Sequence, residues 1–452
     1  MGGPVRIVYD RGTVLVWGAR SAPHCAWDPR VGALRAMAYR YREIREALPH
    51  AVDEVMDPLP VPRLRSQIEL KPFQREALDA WLERKRGIVV LPTGAGKTYL
   101  ALKAMEEFNV STLIVVPTLP LLSQWAERIS EAFGVEVGVV GGGKSELKGI
   151  TVITYDSAYL RAPEIGNKFL LAIFDEVHHL AAEGYIEIAE SLASPYRLGL
   201  TATLEREDGR HVHLLTRVGG VVYRLGPREL AGKHLAEFDT VRIRVRLTKE
   251  EREEYERLIS EYREGLKRAG LTVNSLEDFK RLVMRSGSSR AARKALLSWN
   301  RARKLAINAK RKLEVLEELL ESHKEDKVII FTEYNEMAEE ISRRFLIPLI
   351  THRTSQRERQ EILSAFRTGG VTKVVTSKVL DEGVDVPDAR VGIILGGTGS
   401  RREFIQRLGR ILRKREGKRA ILYEVITVGT AEVRASSRRR RALRSEERGG
   451  WW

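Results

Sequence analysis

Cysteine is almost absent: Cys25 stands alone among 452 residues. A single thiol excludes an intramolecular disulfide, a cysteine-ligated zinc finger and a cysteine-ligated iron–sulfur cluster. It suits a reducing, cytoplasmic setting. Long apolar runs are lacking too, and none approaches the roughly 18 residues of a membrane-spanning helix. The start, Met1-Gly2-Gly3-Pro4, has no basic stretch leading into an apolar core, so no signal peptide is expected. Acidic residues are in deficit, 61 against 77 Lys and Arg, which leaves a net charge of +16 and a pI near 9.8. That balance favours a polyanionic partner. The chain is too long for one ordinary core, so roughly two to four domains are expected.

What is present is a phosphate-binding pattern. Leu91-Pro92-Thr93-Gly94-Ala95-Gly96-Lys97-Thr98 follows the apolar run Gly87-Ile88-Val89-Val90 and precedes a helical pattern from Tyr99 to Met105. Glycines let several N–H groups point at one anion, and the helix adds the positive end of its dipole. Lys97 reaches the outer phosphates, and the Thr98 hydroxyl suits Mg²⁺. The general pattern has a glycine where this chain has Leu91. The proline-started variant is the one associated with helicases.

An α/β pattern surrounds the loop. Strand-like runs at 112–116, 135–140, 150–153 and 170–174 alternate with helical stretches. They imply a doubly wound parallel sheet with function at the strand C-termini. Leu70-Lys71-Pro72-Phe73-Gln74 precedes a helix over 75–84, and the Gln74 amide can both donate and accept, as an adenine edge requires. The run at 170–174 ends in Asp175-Glu176-Val177-His178. Asp175 suits Mg²⁺, and Glu176 is placed to polarise the water that attacks a γ-phosphate. His178 reads as a coupling residue. Asn167-Lys168-Phe169-Leu170 begins like a guanine-reading motif, but Leu170 stands where an aspartate is needed.

The proline-started loop, the Asp-Glu-Val-His strand end and Leu200-Thr201-Ala202-Thr203 together resemble superfamily-2 helicases. Arg206-Glu207-Asp208, just downstream, is similar to the signature of the XPB family of repair and transcription helicases. The resemblance is strong over 67–430; over 1–56 it is one of position and size. It implies a DNA-dependent ATPase that uses ATP and Mg²⁺ with 3′→5′ polarity. The implied fold is α/β, with two RecA-like doubly wound parallel-sheet lobes at 67–230 and 231–430. A small N-terminal α+β, damage-recognition-like domain at 1–56 and a linker at 57–66 precede them. A helical, basic, thumb-like insertion lies at about 248–300.

Site roles follow from the same resemblance. Lys71, Gln74, Thr93, Gly94, Ala95, Gly96, Lys97 and Thr98 belong to ATP, with Gly383 and Asp385 on the ribose side. Arg410 and Arg413, three apart in Gln406-Arg407-Leu408-Gly409-Arg410-Ile411-Leu412-Arg413, are arginine-finger candidates. Thr201, Thr203, His178 and Gln406 couple the nucleotide to the lobes. Pro117, Thr118, Gln124, Thr154, Tyr155, Thr332, Thr376, Ser377 and Lys378 form a DNA track without base specificity. Arg206, Glu207 and Asp208 are assigned to strand separation.

The remaining chain adds charge. The segment 279–312 carries twelve basic residues (Lys280, Arg281, Arg285, Arg290, Arg293, Lys294, Arg301, Arg303, Lys304, Lys310, Arg311, Lys312) and no acidic one. That asymmetry favours phosphate contacts, with Arg290, Arg293 and Lys294 as candidates. At the N-terminus, Asp10-Arg11-Gly12 reads as a hairpin turn. The stretch 32–48 reads as a helix with Leu34, Met37, Tyr41, Ile44 and Leu48 on one face. Its Arg35, Arg40, Arg42 and Arg45 are candidate nucleic-acid contacts. Asp57-Pro58-Leu59-Pro60-Val61-Pro62 reads as a stiff linker. The tail at 431–452, with Arg438 to Arg441 and Trp451-Trp452, reads as a disordered basic segment. The composite expectation is an ATP-driven DNA helicase acting at strand junctions with the chromosome, in repair or transcription-linked opening, beside a protein partner such as a repair nuclease. The alternatives are a duplex translocase and an ATP-gated scaffold that opens DNA for a nuclease.

Overall fold

The computed structural model describes residues 4–206, 208–230, 237–377, 389–396 and 419–437. The chain divides into two compact units, Met1–Leu230 and Ala231–Trp452. Among the described residues no helix is long and apolar enough to cross a membrane.

The first unit opens with a five-stranded sheet. Strands β1 (Arg6–Asp10) and β2 (Thr13–Trp17) form the expected antiparallel hairpin. Arg11 and Gly12 both take positive φ, 41° and 88°, as a tight two-residue turn demands. The helix expected over 32–48 is not formed in full. Ala26–Asp28 and Ala33–Met37 are strands β3 and β4, and the helix α1 is confined to Tyr41–Ala47. Leu34 and Ala36 point alternately to the core with Arg35 between them, and β4 pairs along β2 from Thr13↔Met37 to Val16↔Leu34. Pairing with an existing strand overrides a helical spacing of apolar residues. Strand β5 (Val52–Glu54) adds parallel to β1.

The arginines of this stretch are paired with carboxylates. Arg35 donates to Asp28 at 2.8 Å and Asp10 at 2.9 Å. Arg40 pairs with Glu43, Arg42 with Glu46 and Arg45 with Asp53. The Asp57–Pro62 stretch is also held: the N–H groups of Asp57 and Leu59 donate to the carbonyls of Asn167 and Lys168. Tyr9 docks the small sheet on the larger body, its hydroxyl 3.0 Å from the Pro163 and Ser191 carbonyls. Burial pushes that phenol up to about 12.

The body of the first unit is a doubly wound sheet. In order come α2 (Pro72–Arg84), β6 (Arg86–Val90), α3 (Lys97–Phe108), β7 (Thr112–Val116), α4 (Leu119–Phe133), β8 (Gly138–Gly141) and β9 (Lys144–Ser145). Then follow β10 (Ile150–Thr154), α5 (Tyr155–Ile165), β11 (Leu171–Asp175), α6 (Ile186–Ser191), β12 (Tyr196–Thr201), α7 (Val212–Arg217), β13 (Val221–Arg224) and α8 (Pro227–Leu230). The spatial order is β13-β6-β12-β11-β7-β10-β8-β9, parallel except for the β8–β9 hairpin. Strands β7, β10 and β11 are buried along their whole length, as a sheet covered on both faces requires. Arg197 of β12 lies fully buried beneath it, its guanidinium donating to the carbonyls of Ala189, Ser194 and Arg217.

The second unit repeats the theme around a helical segment. Strand β14 (Glu237–Val245) leads into α9 (Lys249–Ala269), α10 (Leu276–Arg285), α11 (Arg290–Ile307) and α12 (Arg311–Ser322). Thr248 caps α9, and its partner Glu251 closes the capping box. The sheet resumes with β15 (Val328–Thr332), α13 (Asn335–Phe345), β16 (Leu349–Ile350), α14 (Gln356–Thr368), β17 (Lys373–Ser377), β18 (Val391–Ile394) and β19 (Arg419–Thr427). Its order is β14-β19-β18-β15-β17-β16, parallel throughout.

Three of the twelve basic residues at 279–312 serve this unit internally. Arg303 bonds Glu333 at 2.5 Å, and Lys304 bonds Glu336. Lys312 is fully buried, donating to Glu432 at 2.7 Å and to the Leu395 carbonyl. Removing one partner of such a pair strands a buried charge. Lys312→Met is therefore expected to destabilise the second unit by about 3–5 kcal/mol, read as a lower urea midpoint. Adding Glu432→Gln should recover part of the loss; an unchanged midpoint in Lys312→Met would contradict the assignment.

Candidate nucleotide and nucleic-acid site

Parallel register sets the site out along one sheet edge. Val90 of β6 is level with Thr201 of β12, and Leu200 of β12 with Asp175 of β11. Beyond β11, Phe174 is level with Val115 of β7, and Val116 with Thr154 of β10. Neighbouring strands lie about 4.8 Å apart. The phosphate loop, the Thr201 strand end and Asp175 are thus consecutive neighbours, and the next two strand ends carry Pro117-Thr118 and Thr154.

The loop between β6 and α3 is built as the sequence implies. Gly94 and Gly96 adopt φ of 83° and 81°. A Cβ on Gly96 would stand 2.3 Å from the Gln74 amide nitrogen, so only glycine fits. The buried Thr93 hydroxyl has no hydrogen-bond partner. Lys97 Nζ donates to the Leu91 carbonyl at 3.2 Å, folded over the loop it would leave for a phosphate. A cradle of positive-φ glycines with an unsatisfied hydroxyl and a lysine fits a triphosphate. Thr98 and Asp175 fit the accompanying Mg²⁺.

Gln74 differs from the expected adenine reader. It is buried, with Nε2 donating to the Ala95 carbonyl at 2.7 Å and Oε1 accepting from the Lys71 N–H at 2.8 Å. Both ends of its amide hold the loop to the start of α2. Lys71 itself is exposed.

Asp175 and Glu176 share the end of β11. Burial, then the neighbouring Glu176 charge, push the Asp175 carboxyl up to about 6; Trp125 and Lys97 oppose that shift. Glu176 sits at φ 46°, a left-handed conformation uncommon for this residue type. The Thr201 hydroxyl shares its one proton between Glu176 Oε2 at 3.2 Å and the Thr203 carbonyl at 2.9 Å, and it lies 3.0 Å from His178 Nδ1. One hydroxyl thus ties the Glu176 carboxylate to the coupling residues His178 and Thr203.

The other expected contacts are placed as follows. Tyr155 is core: its ring stacks on Tyr185, and its hydroxyl donates to the Asp175 carbonyl at 3.1 Å. Thr154 caps α5 and is also buried. Thr332, Thr376 and Ser377 are buried at adjoining strand ends, and Thr332 donates to the carbonyls of Tyr334 and Thr376. Arg206 grips Asp208 through two nitrogens and donates to the His178 carbonyl at 2.9 Å. That pairing holds the Asp208 carboxyl down to about 2. Arg206 therefore also contacts the Asp175–His178 segment. Thr118 caps α4 and Gln124 is half-buried on it. Arg290, Arg293 and Lys294 are exposed on α11. Glu207, Lys378, Gly383, Asp385, Gln406, Arg410, Arg413 and residues 438–452 lie outside the described residues; the start of the expected disordered tail is instead folded, with Glu432 bonded to Lys312 and Ser436 donating to Glu424.

Two residues of the site escaped the sequence reading. Trp125 Nε1 donates to Asp175 Oδ2 at 2.8 Å, and Arg128 Nη1 donates to Thr98 Oγ1 at 3.2 Å. Leu122, Trp125 and Ile129 repeat at helical spacing, which marks Trp125 as facing the sheet. Nothing local marks its partner.

This geometry defines a nucleotide-dependent motor of the RecA-fold helicase class. Residues 67–206 match the family described as type III restriction enzyme, res subunit, and 311–415 match the helicase conserved C-terminal domain. Residues 7–57 match the Xeroderma pigmentosum group B helicase damage recognition domain. The DNA 3′-5′ translocase XPB2 of Sulfurisphaera tokodaii is 49% identical over 440 residues, 96% of this chain and 100% of that one. The DNA 3′-5′ helicase XPB of Mycobacterium tuberculosis is 30% identical, over 83% of this chain and 64% of that one. The helicase domain of Pyrococcus furiosus Hef shares the fold, with a TM-score of 0.54 over 82% of this chain and 98% of that chain at 21% identity. The chain belongs to the XPB family of DNA helicases and translocases.

The loop geometry generates a direct test. Gly96→Ala, strained in φ and driven into Gln74, is expected to weaken Mg²⁺·ATP binding by about tenfold or more, since 1.4 kcal/mol already gives tenfold. Titration with a fluorescent ATP analogue reads this. Wild-type affinity would contradict the cradle.

Proposed function

We propose that this protein is a DNA-dependent ATPase that moves on or opens DNA with 3′→5′ polarity. The observation that carries the reading is that the phosphate loop with Lys97, Thr201 and Asp175-Glu176 follow adjacent strand ends, beside the ends that lead to Thr118 and Thr154. In-line attack of water on a γ-phosphate needs little covalent help. It needs positioning and charge stabilisation.

Each residue has a part. Loop N–H groups and Lys97 hold the phosphates. Thr98 and Asp175 hold Mg²⁺, which screens the phosphate charge when bound. Glu176, oriented through Thr201, polarises the attacking water. Arg410 and Arg413 of the second unit supply positive charge to the transferring group. Gly383 and Asp385 serve the ribose side, and Gln406 the coupling. DNA is bound through its sugar-phosphate backbone along Pro117-Thr118, Gln124 and the loops that follow the strand ends at Thr154, Thr332 and Thr376. The exposed Arg290, Arg293 and Lys294 add a salt-dependent contribution.

The relatives' names carry helicase, translocase and, in Saccharomyces cerevisiae, a general transcription and DNA repair factor subunit. The proposed setting is intracellular, in excision repair or transcription-linked opening, with a protein partner such as a repair nuclease. A duplex translocase shares every motif; strand-displacement and triplex-displacement assays run side by side separate the two.

Lys97→Ala is expected to abolish ATP hydrolysis. Glu176→Gln is expected to retain ATP binding within a few-fold while turnover falls by about 100-fold or more, a scale typical of losing a positioned general base. Steady-state ATPase with forked DNA checks both. Full activity in either variant would overturn the site.

A further inference from the structure

The geometry points to α4 as the element that carries DNA binding to the Mg²⁺ ligands, with Trp125 and Arg128 as its positioning residues. This rests on the site assignment proposed above. Helix α4 runs without interruption from the Thr118 cap to Phe133. Its first turn adjoins Pro117-Thr118, where the DNA backbone is proposed to sit. Trp125 begins about 10 Å further along, at about 1.5 Å per residue. From there the helix delivers two side chains, one turn apart, to both metal-site residues. The Trp125 N–H fixes Asp175 Oδ2 at 2.8 Å, while the Glu176 N–H fixes Oδ1 at 3.0 Å. The Arg128 guanidinium donates to the Thr98 hydroxyl at 3.2 Å.

These two contacts act differently. Trp125 is only 2% exposed, and with Leu122 and Ile129 it packs the helix on the sheet. An indole has one donor and no acceptor, so it can hold the carboxylate but cannot take its place. Arg128 donates to an oxygen that a metal ion would need, so it must let go of that oxygen before a metal takes it. Mg²⁺·nucleotide then binds well only when α4 shifts far enough to withdraw Arg128. Phosphates held at the start of the helix favour that shift. Tyr155 gives the neighbouring strand end its own link, to the Asp175 carbonyl at 3.1 Å. Both proposed DNA-bearing strand ends therefore meet at Asp175.

Coupling of this kind is reciprocal and is measured by binding alone. The test is the affinity of the full chain for Mg²⁺·AMP-PNP by calorimetry, with and without single-stranded DNA. DNA anisotropy with and without the nucleotide provides the mirror measurement. In the wild type DNA should tighten nucleotide binding, by a factor in the usual range of about 5–150. Arg128→Met should bind Mg²⁺·AMP-PNP more tightly than wild type without DNA, and its coupling factor should fall to less than a third. Arg128→Lys, which keeps a donor and a charge, should retain most of the factor. Trp125→Phe keeps the ring and loses the N–H; it should also lower the factor and serves as a second probe. Wild-type coupling in both Arg128→Met and Trp125→Phe would overturn the role of α4 while leaving the site intact. No Mg²⁺·AMP-PNP binding by the wild type would overturn the site assignment itself.

Discussion

The Asp175 carboxylate is the constraint on which the arrangement depends. It ends a fully buried parallel strand, so its position is fixed by the register of the strands on either side. Both of its oxygens are already hydrogen-bonded, to Trp125 and to the Glu176 N–H. Burial beside Glu176 raises its proton affinity, which leaves a site that gains from a cation. On one side lie the Thr201 strand end and the phosphate loop; on the other lie the strand ends assigned to DNA. A group so fully constrained cannot respond to one side without registering the other.

The phosphate loop, the sheets and the alternation with helices were legible in the sequence because they rest on local signals. Gly94, Gly96 and Lys97 are marked by their own spacing, and the buried strands by their apolar runs. What was not legible depends on partners far along the chain. The stretch at 32–48 carries a helical spacing of apolar residues, yet β2 draws half of it into a sheet. Tyr155 sits next to a plausible phosphate contact, but its ring belongs to Tyr185 and its hydroxyl to Asp175. Trp125 lies 50 positions from Asp175, and Arg128 lies 30 from Thr98. No window of sequence joins such pairs.

Charge shows the same limit. The net excess of +16 suggests a polyanion partner, but most arginines of the N-terminal sheet already face carboxylates. In the basic segment Lys312, Arg303 and Lys304 are structural. The basic residues proposed for DNA are the exposed Arg290, Arg293 and Lys294 of α11. Arg206 is the sharper case. Within the signature that suggests strand separation, Arg206 pairs with Asp208 and donates to the His178 carbonyl. In this structure its described part supports the ATPase site.

The central claim is that hydrolysis at this sheet edge answers to DNA bound along the same edge. The most direct measurement is the steady-state ATPase rate of the full chain with Mg²⁺, with and without forked DNA, across a range of salt. The expected result is a rate that rises about tenfold or more with DNA, with a stimulation that weakens as salt displaces the backbone contacts. An ATPase rate indifferent to DNA at every salt concentration would contradict it.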